Sequence, residues 1–233
     1  MPTATELYEN GLALHKQGDL EAAAARYDAA LALDAGHAPS LHMRGVVHLQ
    51  QRDHAGAAKL IARAIAINPD DAAAYGNLVA ALLPLNRFDE AIEAARRAVA
   101  LNPNSADIWG NLGTALSRRD RYIEAADAYR RAIALRPDRA GLHSGLARSL
   151  TVLKRYEEAM ESHRRAVELA PERPEYRHGL AMTLVEMGAP TRQRRCFAAL
   201  PAGRTSTPRF SLRWVRCCRS AAKCRMRSRC CSK

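Results

Sequence analysis

Six cysteines could do chemistry, and all of them stand near the C-terminus: Cys196, Cys217, Cys218, Cys224, Cys230 and Cys231. The last five could offer four thiolates to zinc. Their CC-x5-C-x5-CC spacing, however, lacks the paired C-x2-C loops of structural zinc sites, and no histidine stands nearby. The same segment carries eleven arginines with Phe197, Phe210 and Trp214, a composition that could bind RNA or DNA through phosphate contacts and stacking. Any peptide so basic adheres to nucleic acid at low salt. Disulfides would need an oxidising compartment, and the N-terminus carries Glu6 and Glu9 where an export signal has a basic stretch and an apolar run. Metal site, nucleic-acid contact, disulfide staple and inert tail are thus four readings of one segment.

Elsewhere the signatures of catalysis are missing. No lysine follows a glycine, which excludes a phosphate-cradling P-loop, and there is no H-E-x-x-H, G-x-S-x-G or G-x-G-x-x-G. The eight histidines, among them His42, His48 and His54, keep no metal-ligand spacing and read as helix-surface or turn residues. Asp89-Glu90 and Glu157-Glu158 read as acids at helix N-termini, where they complement the helix dipole. No catalytic residue, metal or cofactor is expected.

The formal charge of +12 suggests an acidic partner only until it is located. Residues 190–233 hold thirteen of the 36 Lys and Arg and none of the 24 Asp and Glu, leaving 23 basic against 24 acidic residues for the first 189. The body is nearly neutral and free of cysteine. Its longest uncharged stretch, 72–86, contains Asn77 and Pro84 and is shorter than the roughly 18 to 20 apolar residues of a membrane span. No membrane association is expected, and the location is read as cytoplasmic.

The body is organised by a repeat. Pro69, Pro103, Pro137 and Pro171 recur every 34 residues, as do two alanine tracks, Ala23-Ala57-Ala91-Ala125-Ala159 and Ala30-Ala64-Ala98-Ala132-Ala166. One unit, 106–139, shows the physics. Ile108, Leu112, Ala115 and Leu116 form an apolar stripe at helical spacing, and residues 118–121 make a polar turn. A second helix places Ile123, Ala126, Tyr129, Ile133 and Leu135 on its buried side, and Arg136-Pro137 ends it. Each helical hairpin leaves an apolar face that only its neighbours can cover. Pro84 falls near the end of a first helix and removes a backbone bond to Ala80, so that helix is predicted to stop early or bend.

Over residues 4–188 the sequence resembles the tetratricopeptide repeat family, with units near 4–37, 38–71, 72–105, 106–139 and 140–173 and a partial one at 174–188. Some positions depart from the family pattern. Its large first-helix residue is Tyr75 or Trp109 but also Leu7, Leu41, His143 and Arg177, and its glycine, kept as Gly11, Gly45 and Gly113, becomes Val79, Ala147 and Ala181. The first unit has Ala35 in place of the proline. The resemblance implies an all-α, right-handed solenoid of five full units and a half repeat, acting without catalysis as a scaffold that takes a peptide or protein segment in a concave groove lined by the first helices.

Carried onto this chain, the family's groove positions include Tyr8, His42, Asn77, Asn111, Thr114 and Arg148. Asn77 and Asn111, one unit apart, could donate to and accept from a peptide backbone. Arrays that clamp C-terminal carboxylates place a lysine where this chain has Tyr8, His42, Gly76, Gly110, Ser144 and His178, which disfavours that subtype. The "YGNLVAAL" and "WGNLGTAL" units are weakly similar to the asparagine-bearing arrays of O-linked N-acetylglucosamine transferases, so an alternative is the substrate-recruiting part of a larger enzyme whose catalytic domain is missing. A second alternative is a nucleic-acid-associated protein working through its basic tail; otherwise nucleic acid is expected only as a non-specific contact there.

After Gly188 the pattern fails. Gln193 and Leu200 stand on the alanine tracks and Thr205 on the proline track, while Arg, Cys, Ser and Gly supply 23 of the last 44 residues. An alanine codon read one base out of frame yields triplets ending in GC, which encode those four residues. The tail, 189–233, is therefore read as disordered or frameshift-derived. Sequencing the gene across the Gly188 codon tests this: a one-base shift should restore Ala at positions 193 and 200, and a shifted frame without repeat character would refute it.

Overall fold

The computed structural model describes residues 2–188, and within them the chain forms eleven α-helices and no strand. The cysteine-bearing tail, with every reading attached to it, lies outside the described residues. First helices are α1 (Ala4–Gln17), α3 (Ala38–Gln50), α5 (Ala72–Leu82), α7 (Ala106–Arg118), α9 (Ala140–Val152) and α11 (Pro174–Glu186). Second helices are α2 (Leu20–Leu33), α4 (His54–Ile67), α6 (Phe88–Leu101), α8 (Tyr122–Leu135) and α10 (Tyr156–Leu169). None of the described helices is long and apolar enough to cross a membrane.

Local signals start and stop these helices. Thr3 and Glu6 close a capping box on α1, and Asp19, Asp53, Asp71 and Ser105 cap α2, α4, α5 and α7. Three second helices begin differently. Arg87, Arg121 and Arg155 occupy the N-cap and fork onto Glu90, Glu124 and Glu158 three residues on, at 2.5–2.8 Å. Each second helix ends with its cap N–H on the carbonyl of the second alanine track, Ala30, Ala64, Ala98, Ala132 or Ala166. Helix α2 stops there without a proline; Asp34 accepts the Gly36 N–H and closes the turn instead. Helix α5 ends at Leu82, two residues shorter than α7 or α9, as Pro84 requires. The turn nevertheless keeps its register, since Arg87 N–H reaches Leu82 O as Arg121 reaches Leu116 and Arg155 reaches Leu150.

The hairpins pack through small residues set against large ones. All five residues of the first alanine track are fully buried. A Cβ added to Gly11 would stand 2.6 Å from the Tyr27 ring, one on Gly45 would stand 2.5 Å from Ile61, and one on Gly113 would stand 3.0 Å from Tyr129. Each of these partners lies sixteen residues on, in the second helix of the same unit. Where the glycine becomes Val79 the facing position shrinks to Ala95, and both are fully buried in one cluster. The departure from the family pattern is thus a volume exchange.

Two expectations need correction. Ile123 is 68% exposed, because it lies two residues, about 200° of helical rotation, from the buried Ala125. Leu135 is also exposed, as are Leu33, Ile67 and Leu101 at the same position of other units. Each is the last residue of its helix, beyond the seam where the hairpins meet. Ala126 and Tyr129 are buried as expected.

Volume exchange predicts a coupled pair. Ala95→Ile alone overpacks the seam and destabilises by ~1–3 kcal/mol. Adding Val79→Gly recreates the Gly45–Ile61 arrangement, and urea unfolding of the four-member cycle should give a coupling of at least ~1 kcal/mol. Simple additivity would refute the pairing.

Candidate peptide-binding groove

First helices approach one another closely across units, α1 with α3 through to α9 with α11, whereas the backbones of successive second helices stay further apart. The first helices are therefore the inner wall and the second helices the splayed outer one. Along this inner wall the groove positions divide into those committed to holding units together and those left open.

At the N-terminal end, Tyr8 is half-buried, tilted against Tyr27 with ring centroids 6.1 Å apart and edge-on to His37 at 5.7 Å. His42 is only 9% exposed and bridges two units. Its Nδ1 is 3.0 Å from Asp71 Oδ2, while Asn77 Nδ2 lies 2.9 Å from its Nε2. An amide nitrogen only donates, so Nε2 accepts and the proton sits on Nδ1, facing the carboxylate. Asp71 also caps α5, accepting from the Ala73 and Ala74 N–H groups at 2.9 and 3.0 Å. Burial holds the His42 pKa below the ordinary histidine value, with Asp71 pulling the other way. Asn77 is thus engaged by its neighbour rather than free to hold a ligand backbone.

In the middle, Thr114 donates to Gly110 O at 2.9 Å and sits 3.1 Å from the Tyr129 hydroxyl, which must then donate to it. The Tyr129 ring needs two glycines: a Cβ at Gly145 in the next unit would stand 2.5 Å from it. At the far end Thr151 and Thr183 join α9 to α11 at 2.9 Å, while each also faces a carbonyl of its own helix.

Two groove residues remain. Among the described residues no hydrogen bond holds the part-exposed Asn111 side chain, and no carboxylate pairs with the exposed Arg148. They stand on neighbouring first helices, α7 and α9. Burial raises the Tyr129 pKa, with the Thr114 hydrogen bond and the Arg148 charge opposing it, and burial lowers the His163 pKa, with the Arg148 charge adding to it.

Sequence reasoning took the histidines for surface or turn residues, and His42 and His163 correct it. His163 is 1% exposed in α10, at the position of Tyr27, Ile61, Ala95 and Tyr129 in other units. Gly179 makes room for its ring, and its Nδ1 has no hydrogen-bond partner among the described residues. His143 keeps the work of the Trp it replaces: its Nε2 meets Pro137 O at 2.9 Å, as Trp109 Nε1 meets Pro103 O at 2.8 Å. Asp71, Tyr129 and Thr183 were missed as partners of the groove residues; the cap position of Asp71 and the shared track of Tyr27 and Tyr129 were the available signals.

A stack of helical hairpins with a continuous inner wall is a helical-repeat solenoid. The tetratricopeptide repeat family model matches residues 8–72, 42–106, 77–140 and 111–174, and the chain belongs to that family. Among solved structures it is similar to YrrB, described as a TPR protein with an unusual peptide-binding site, at 22% identity and a TM-score of 0.69, covering 75% of this chain and 90% of that one. It is also similar to MamA, at 23% identity and a TM-score of 0.63 over 68% of this chain and 93% of that one. MamA 41-end from Desulfovibrio magneticus RS-1 gives 20% identity and a TM-score of 0.66 over 72% and 96%. No curated protein sequence matches the chain.

Buried His163 makes the array acid-sensitive. Its pKa falls from 6.5 to about 4, chiefly through burial, so the unfolded chain takes up the proton first as pH drops. Stability present at pH 7 is lost between pH 6.5 and 4, by roughly 3 kcal/mol for this group. His163→Leu should remove most of that loss in melting curves at pH 7 and pH 4.5; an unchanged pH dependence would refute the assignment.

Proposed function

We propose that this chain is a non-catalytic protein-interaction scaffold that holds an extended peptide or protein segment in its concave groove. Tyr8, His42, Asn77, Asn111, Thr114 and Arg148 line the path of the ligand, but they act unequally. The observation that carries this reading is that Asn111 and Arg148 are uncommitted on neighbouring first helices, while His42, Asn77 and Thr114 are bonded within the fold. Asn111 can both donate to and accept from a ligand peptide unit, and Arg148 supplies a cation for a carboxylate or carbonyl oxygen. The Tyr129 ring, seated against Gly113 of α7 and Gly145 of α9, sets the spacing between the two helices that carry the open groups. Family membership and the likeness to a peptide-binding TPR protein support the same class of ligand. The array is read as residues 4–188.

A peptide library panned against the full chain supplies the ligand for the test. Arg148→Ala and Asn111→Ala should each weaken a selected peptide roughly tenfold, the loss of one hydrogen bond with or without charge. Melting temperatures should stay at the wild-type value, because neither side chain is bonded within the fold. Selected peptides that bind both variants as tightly as wild type would sink the groove assignment.

A further inference from the structure

The outer wall carries a second candidate site. The backbones of successive second helices stay apart, and the gaps between α4 and α6 and between α8 and α10 are floored by the first helix of the later unit. Between α6 and α8 the cleft is crossed by Arg96, which reaches Glu124 at 3.2 Å, and its Trp109 floor lies under Arg131, 5.3 Å from the ring centroid. Between α8 and α10 the crossing residue is Arg130, 3.4 Å from Glu158, and a space of about 420 Å³ remains.

Between α4 and α6 the crossing is missing. The residue 34 before Arg96 is Ala62, and the facing Glu90 is bonded to its own cap Arg87 alone. The cleft there opens to about 790 Å³, floored by Tyr75, Leu78 and Leu82. Ala55, Ala58 and Ala62 form one wall and Glu90, Glu93 and Arg97 the other, both spaced to follow about two helical turns. Among the described residues Lys59 and Arg97 on its rim have no carboxylate partner, against the single unpaired carboxylate of Glu93. An apolar floor under an excess of unpaired cations complements an apolar and acidic occupant.

We infer that the α4–α6 cleft docks an acidic amphipathic helix of a partner protein. Its apolar side chains lie on Tyr75 and Leu78, and its carboxylates meet Lys59 and Arg97. This site is on the opposite wall from the groove and independent of any ligand held there.

The probe is a fluorescein-labelled helical 16-residue peptide with leucines along one face and glutamates flanking them, titrated by anisotropy into the full chain at physiological salt. A second peptide carries lysines for the glutamates. Saturable binding of the acidic peptide is expected. Ala62→Arg, which supplies the missing crossing to Glu90, should weaken it at least tenfold while the melting temperature holds or rises. Lys59→Glu/Arg97→Glu, on the exposed rim, should weaken it similarly and favour the lysine peptide. The basic tail is common to every variant, so only the part of the binding that Ala62→Arg removes is assigned to the cleft. Equal binding by wild type and Ala62→Arg, equal binding of both peptides, or no saturable binding would overturn the proposal. So would a loss of binding in Arg148→Ala, which would place the peptide in the groove.

Discussion

Every feature of this array depends on close approach between the first helix of a unit and the second helices on either side of it. Side-chain volume is exchanged across that seam: glycine faces tyrosine or isoleucine, and valine faces alanine. Seams of this kind have no slack, because a Cβ in the wrong place would sit 2.5–3.0 Å from a ring or branch. Tyr129 shows how the constraint joins units. Its ring fills the space over Gly113 in its own unit and Gly145 in the next, and its hydroxyl then fixes Thr114 on the groove wall.

Function, in this reading, lives in what the seam leaves unoccupied. His42, Asn77 and Thr114 on the groove wall are turned to bonds within the array, whereas Asn111 and Arg148 are not. On the outer wall the same logic works by omission: one alanine in a position that holds arginine in the following units leaves a cleft uncrossed. A repeated frame makes such single departures visible, since each can be compared with its own neighbours 34 residues away.

Helix α11 is the last helix among the described residues. It buries Tyr176, Leu180 and Leu184, while Met182 and Val185 are exposed. In the second to fifth hairpins the first helix packs both on its own second helix and on the second helix of the unit before, which is the physical reason that units of this kind are stable only in series.

The sequence by itself determined the period, the eleven helices, the alanine seams and the early end of α5, because these follow from local rules that act within one or two turns: apolar spacing, caps, proline. It placed Ile108, Leu112 and Leu116 in the core but also Ile123, since an apolar residue does not declare which side of a helix will be covered. It also named the groove residues without their partners. Only the tertiary structure decided that His42 ties Asn77 to Asp71, that Val79 answers Ala95, that His163 is buried, and that Ala62 opens a cleft. Each of these joins side chains from different helices across distances set by how the hairpins stack, and no local pattern in the chain encodes that spacing.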